Sequence, residues 1–266
     1  MDLNGATILV TGASSGIGEA LAPQLAAKGA SVGIVARRTD RLEAVLERCR
    51  DEGGEHAMWT ADLSDVDAAV RVAGEAIERF GHLDALVNNA AIGKRKLTQT
   101  LTPEDLDVTM RTDFTSPIRM AMTVLPHMLG CGRGLIVNVS SMGGRLGIAH
   151  EAAYCAAKFA MAGWSESARL DLDGTGVQVK LVLPGPIATE IWEVQPGELP
   201  GFYDGPFVTA EDCAADIVAA IEDPDGFEYY TPEEGPGGWR QKDLVVGKST
   251  DCDAFLAGMA QMLSQP

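Results

Sequence analysis

The 266-residue chain carries 46% hydrophobic, 22% charged and 6% aromatic side chains, enough for a full core in one domain or at most two and too apolar for a disordered chain. Its 21 basic and 38 acidic residues leave a net charge of -17, which argues against a nucleic acid or an anionic membrane as the main partner, because a strongly acidic protein repels polyanions. No apolar run approaches the roughly 18 residues of a membrane span, and the start Met1-Asp2-Leu3-Asn4 lacks the basic-then-apolar stretch of a signal peptide, so a cytoplasmic protein is expected.

Short β-branched runs alternate with longer amphipathic stretches as far as about residue 183. In chain order the pattern predicts a strand at Thr7 to Val10, a helix at Gly16 to Lys28, a strand at Ser31 to Val35 and a helix at Arg41 to Glu52. A strand at Ala57 to Ala61, a helix at Asp65 to Phe80 and a strand at Ala85 to Asn88 follow. One long helix is expected over Pro103 to Leu129, then a strand at Leu135 to Val139, a helix at Glu151 to Leu172 and a strand at Val177 to Leu183. The strands are nearly unbroken apolar runs, which implies helices on both faces of a parallel sheet: an α/β, doubly wound, Rossmann-type single domain of about seven strands. Residues 186 to 208, rich in proline and glycine, read as a mobile substrate flap. A helix near Ala210 to Ile221, a strand near Phe227 to Tyr230 and a terminal helix at Asp251 to Leu263 complete the chain; within the C-terminal segment 232 to 266, the stretch Pro232 to Lys248 gives no pattern. The five cysteines include no C-x-x-C pair and read as reduced, small apolar side chains, and the four histidines lack metal-ligand spacing, so no metal site is expected.

The first strand runs directly into Thr11-Gly12-Ala13-Ser14-Ser15-Gly16-Ile17-Gly18 and a helix. Glycines at such a turn let the backbone approach a diphosphate, which rests on the free N–H groups of the helix start. The spacing is G-x-x-x-G-x-G, and Gly12 to Gly16 also fits the G-x-S-x-G nucleophile elbow of hydrolases. His150 would then be the base, but no placed carboxylate accompanies it, and Gly18 suits phosphate binding better.

Tyr154 and Lys158 stand four apart on an expected helix and so share one face, about 5 to 6 Å apart at Cβ. An ammonium near a phenol favours the phenolate, so Lys158 is expected to lower the Tyr154 pKa from about 10. Lys94-Arg95-Lys96, after the fourth strand, reads either as a draw for an anionic substrate or cofactor or as a solvated cationic loop. Trp192, Phe202, Tyr203 and Phe207 in the flap either line an apolar substrate site or pack the flap down. Asn138-Val139-Ser140 matches a glycosylation acceptor but falls in a buried strand and is discounted.

With Thr11 to Gly18, Asn88-Asn89-Ala90-Ala91, Ser141, Tyr154-x-x-x-Lys158 and Pro184-Gly185, the chain resembles the short-chain dehydrogenase/reductase family over roughly residues 5 to 230. The resemblance implies a nicotinamide cofactor and hydride exchange between a small-molecule carbonyl and an alcohol. Tyr154 is then the acid/base, Lys158 also bonds the nicotinamide ribose, and Ser141, preferred over its neighbour Ser140, polarises the carbonyl. Cofactor contacts carried over are Gly12, Ser14, Ser15, Gly16, Ile17 and Gly18 in the turn, Asp62 and Leu63 after the third strand, Asn89 and Ala90 after the fourth, and Pro184, Gly185, Ile187 and Thr189 after the sixth, besides Tyr154 and Lys158 themselves. One departure stands out. Asp113 occupies the place of an asparagine that the family uses in a proton relay to the lysine; it either pairs with Lys158 or lines the helix without a catalytic part.

At the end of the second strand an acid would bind ribose hydroxyls and repel a 2′-phosphate, but Ala36-Arg37-Arg38 stands there. Two guanidinium groups suit a phosphate, so NADP(H) is expected over NAD(H); the family resemblance implies Arg37 as the main ligand, with Arg38 stacking on or flanking the adenine. The leading expectation is thus an NADPH-dependent oxidoreductase, as a homo-oligomer (dimer or tetramer). The alternatives are a reductase of carrier-bound 3-ketoacyl groups and an NADP-binding regulator without turnover.

Overall fold

The computed structural model describes residues 1–201, 203–235 and 238–263. The strands β1 (Thr7–Thr11), β2 (Ser31–Ala36), β3 (Ala57–Thr60), β4 (Ala85–Asn88), β5 (Gly134–Val139), β6 (Val177–Pro184) and β7 (Glu228–Thr231) form one sheet. Its order is β3-β2-β1-β4-β5-β6-β7, and every neighbouring pair is parallel.

Alternate side chains on a strand point to opposite faces, and here both faces are apolar. Ile8 and Val10 of β1, Val87 of β4 and Val137 of β5 enter one core with α1 (Gly16–Ala27), α2 (Thr39–Asp51) and α7 (Ala210–Glu222). Leu9, Leu86 and Ile136 enter the other with α3 (Val66–Phe80), α5 (Ser116–Cys131) and α6 (Ala152–Asp171). The strands therefore read as unbroken apolar runs, as expected for a doubly wound sheet. Cys49, Cys155 and Cys213 are buried, and Cys131 and Cys252 are exposed. Because strand order reverses between β1 and β4, a crevice opens at their carboxyl ends, where open α/β sheets bind ligands.

Two elements differ from the sequence expectation. The single helix expected over Pro103 to Leu129 is divided into α4 (Pro103–Met110) and α5 by a π-helical turn at Arg111–Thr115. Pro117 has no N–H to give the Asp113 carbonyl, and Ser116 N–H reaches back to the Arg111 carbonyl instead, which widens the turn. The patternless stretch before residue 248 contains a helix, α8 (Gln241–Thr250), followed by α9 (Cys252–Leu263). Polar anchors fix α8: Gln241 is buried and donates to the Pro232 carbonyl at 2.9 Å, and Lys248 donates to the Arg145 carbonyl at 2.7 Å. No helix among the described residues is long and apolar enough to cross a membrane.

Candidate active site

The glycine turn is fastened to the end of β4. Thr11 Oγ1 accepts from the Asn89 and Ala90 N–H groups at 2.9 and 3.0 Å, and Asn89 Nδ2 donates to the Thr11 carbonyl at 2.9 Å. Gly12 has φ 70°, and a Cβ there would lie 2.7 Å from Ala90 Cα; one on Gly18 would lie 2.5 Å from the Gly12 oxygen. These two glycines thus serve first to close the turn against β4. Ser15, the residue before α1, is extended (φ -165°) and gives the helix no side-chain cap. The first N–H groups of α1, including those of Ile17 and Gly18, point the positive helix end into the crevice, the arrangement a diphosphate needs. On this ground the residues fit a dinucleotide.

At the β2 edge, Arg37 is exposed and makes no hydrogen bond or ion pair among the described residues. Arg38 lies across the turn, its Nε donating to Ser14 Oγ and its Nη2 to the Ser14 carbonyl, both at 3.3 Å. The same guanidinium donates to Glu190 Oε2 at 2.7 Å, and Arg41 pairs with the other oxygen of Glu190. Hydrogen bonds from both arginines hold the Glu190 carboxyl below the usual range. Asp62, exposed, accepts from Ser64 N at 2.9 Å, while Leu63 is buried.

The β5 end, α6 and the π-helical turn bring Ser141, Tyr154, Lys158 and Asp113 together. Ser140 Oγ is buried and donates to the Lys158 carbonyl at 3.1 Å, so it serves packing. Ser141 Oγ accepts from Gly143 N at 3.0 Å, and its one proton remains to donate. Lys158 is 1% exposed; its Nζ donates to the Val139 carbonyl at 3.1 Å and lies 4.0 Å from Asp113 Oδ2. Asp113 is fully buried, with Oδ1 accepting from Ile92 N at 2.9 Å and Oδ2 having no hydrogen-bond partner among the described residues. Burial pushes the Asp113 carboxyl up, against the pull of Lys158. Burial likewise pulls Lys158 down while Asp113 raises it.

The Tyr154 pKa does not lie below its ordinary value, where the nearby Lys158 led one to expect it. Burial drives this phenol well upward, Ser141 acts against it, and the Asp113 charge adds to it. The Lys158 ammonium sits over the ring, 5.5 Å from its centroid, a cation–π position.

The segment expected as a flap is largely irregular, with one 3₁₀ turn at Glu190–Trp192. Trp192, Tyr203 and Phe207 pack on one another, with Trp192–Phe207 and Tyr203–Phe207 centroids 5.0 and 5.4 Å apart; Phe202 lies outside the described residues. Lys94-Arg95-Lys96 matches neither expectation, because all three cations are engaged. Arg95, 3% exposed, pairs with Glu151 at 2.9 Å, donates to the Ile191 carbonyl at 2.6 Å and stacks on Trp192 at 5.0 Å. Lys94 pairs with Glu198 at 3.4 Å and Lys96 with Asp105 at 2.6 Å. A cleft of about 550 Å³ opens by Ser15, Gly16, Thr189, Glu190 and Trp192, beside the glycine turn and not at Tyr154. Pro184 ends β6, Gly185 N donates to the Thr231 carbonyl, and Ile187 is buried. Glu151 and Glu190 were not expected at this site, since each finds its partners only through the folded chain.

Residues 6–198 match the family described as short chain dehydrogenase. The chain belongs to this short-chain dehydrogenase/reductase family. It is therefore an NAD(P)-dependent oxidoreductase. It is 36% identical over 221 residues to 11-beta-hydroxysteroid dehydrogenase-like 4A of Arabidopsis thaliana, covering 82% of this chain and 73% of that one. A metagenomic short-chain oxidoreductase in complex with NADP is similar at 31% identity and TM-score 0.72, over 86% of this chain and 97% of that one. A short-chain dehydrogenase/reductase of Burkholderia phymatum in complex with NAD shares the fold at TM-score 0.80 and 24% identity, over 88% and 91%.

Proposed function

We propose that this oxidoreductase is an NADP(H)-preferring reductase of a small ketone or aldehyde, with Tyr154 as acid, Ser141 as the donor that polarises the carbonyl, and Lys158 as the charge that steadies the phenolate. The observation that carries the reading is the convergence of the Ser141 hydroxyl, hydrogen-bonded to the Tyr154 phenol, with that buried phenol and a buried ammonium at the β5 end of the crevice. When bound, the nicotinamide supplies the hydride. Ser141 then donates to the carbonyl oxygen as negative charge grows on it, and Tyr154 passes its proton to that oxygen. The phenolate left on Tyr154 is favoured by the Lys158 ammonium. Asp113 is a positioning residue in this reading, holding Lys158 from behind. The uncapped start of α1 would hold the diphosphate, and Asp62, Leu63, Asn89, Ala90, Ile187 and Thr189 border the remainder of the cofactor.

The preference for NADP(H) rests on Arg37 and Arg38 in place of an acid after β2, and the NADP-bound relative supports it. One charge-assisted contact is worth about 1.5 to 3 kcal/mol, so Arg37→Ala is expected to weaken NADPH roughly ten- to 150-fold and NADH little. Equal wild-type affinities, or equal losses for both cofactors, would refute the preference. The substrate class is tested by a panel of ketones, aldehydes and alcohols followed through nicotinamide absorbance; no turnover with any of them would favour a binding protein without catalysis. Exposed Met122, Leu129 and Leu170 on α5 and α6 are apolar surface that a homo-oligomer would cover.

A further inference from the structure

Glu190, in the flap, reaches the β2 edge. Its two carboxylate oxygens are divided between Arg38 and Arg41, with the Arg38 contact at 2.7 Å. Both arginines belong to the β2–α2 junction: Arg38 is the residue before α2, and Arg41 lies in its first turn. The preceding residue, Thr189, is pressed against the glycine turn, for a Cβ on Gly16 would lie 2.8 Å from Thr189 Cγ2. The flap is thus fixed at two successive residues, one on the diphosphate turn and one on the guanidinium pair.

A carboxylate accepting from two guanidiniums offers the same kind of charged oxygen acceptors as a phosphate monoester. A group arriving at this edge with a phosphate on the adenosine ribose meets arginines that already have an acceptor. We propose that Glu190 is a specificity-determining residue, an internal competitor for Arg38 and Arg41 that weakens 2′-phosphate binding and so narrows the difference between NADPH and NADH. The inference rests on the reading of this crevice as a nicotinamide dinucleotide site. All three side chains are one-third to nearly one-half exposed, so the competition is modest. A ligand without the 2′-phosphate leaves the Glu190 contacts in place and feels no competition.

The test is calorimetric titration of the full chain with adenosine 2′,5′-bisphosphate and, separately, 5′-AMP, for wild type, Glu190→Gln and Glu190→Ala. Binding is the readout, so no substrate is needed. Both variants are expected to bind the bisphosphate about three- to tenfold more tightly than wild type, with 5′-AMP changed less than about twofold, in line with two exposed ion pairs removed. Unchanged or weaker bisphosphate binding in both variants, or an equal gain for 5′-AMP, would overturn the inference. Glu190 is on an irregular surface segment, and the two replacements differ in size and polarity, so a folding defect in one leaves the other to decide. NADPH and NADH titrated into wild type separate the two levels: binding of neither overturns the dinucleotide reading and this inference with it, whereas tight NADPH binding without a Glu190 effect overturns the inference alone.

Discussion

Asp113 shows how one buried charge is tied to two others. Its carboxylate, 4.0 Å from the Lys158 ammonium, favours the charged lysine against burial and disfavours the Tyr154 phenolate. Removing that charge acts on both groups in one direction, because each then loses its proton at lower pH. Asp113→Asn is therefore expected to keep activity near neutrality while the basic limb of the kcat/KM profile moves to lower pH. A limb that stays in place, or moves to higher pH, contradicts the positioning role. The meeting of Ser141, Tyr154 and Lys158 was legible in the sequence, since their spacing already sets them on a strand end and one helix face. The direction of the Tyr154 pKa was not. It depends on burial at the meeting of α6 and the β5 end, which no local spacing encodes.

Among the elements, the segment 186 to 208 is tied to the carboxyl edge of the sheet through Arg95, which a buried ion pair holds in place. Arg95 and Glu151 are 3% and 9% exposed, and Arg95 also carries the Ile191 carbonyl and the Trp192 ring. Breaking such a pair from one side leaves an uncompensated charge, at a cost of about 3 to 5 kcal/mol. Arg95→Met is expected to lose about that much in urea denaturation near pH 8. Glu151 is already raised by burial and held down by Arg95, so in the variant its folded pKa rises further above the unfolded value. Folded protein then binds more protons than unfolded above about pH 4.5, and stability falls as pH rises through that window. The penalty should accordingly be smaller at pH 5 than at pH 8; a penalty independent of pH, or under about 1 kcal/mol, contradicts the account. The sequence showed Lys94-Arg95-Lys96 as a cluster but not its partners, which come from α4, the start of α6 and the flap. The π-helical turn was hidden for a related reason: Pro117 was visible, but a proline early in a helix is tolerated, and only the chain behind it shows that Asp113 is turned into the core.

Across the whole molecule the sheet was the most legible feature, because apolar strands alternating with amphipathic helices leave few arrangements other than a doubly wound sheet. Its stability lies in the two cores that the strands feed. Leu86, fully buried at the centre of the sheet, is expected to cost about 2 to 5 kcal/mol on replacement by alanine, read from urea denaturation; a loss below about 1 kcal/mol would mean this face is not packed as described. Helix α8 escaped the pattern because buried Gln241 and a lysine bonded to a distant carbonyl hold it, and neither leaves a hydrophobic period.

The proposed chemistry turns on Tyr154 giving the proton in the reaction. It is tested most directly by Tyr154→Phe in single-turnover reduction of whichever ketone or aldehyde the panel selects, with NADPH affinity measured on the same preparation. Turnover is expected to fall about a hundredfold or more with NADPH affinity nearly intact, since only the hydroxyl is removed. A variant that kept more than about half the wild-type rate in that chemical step would contradict it.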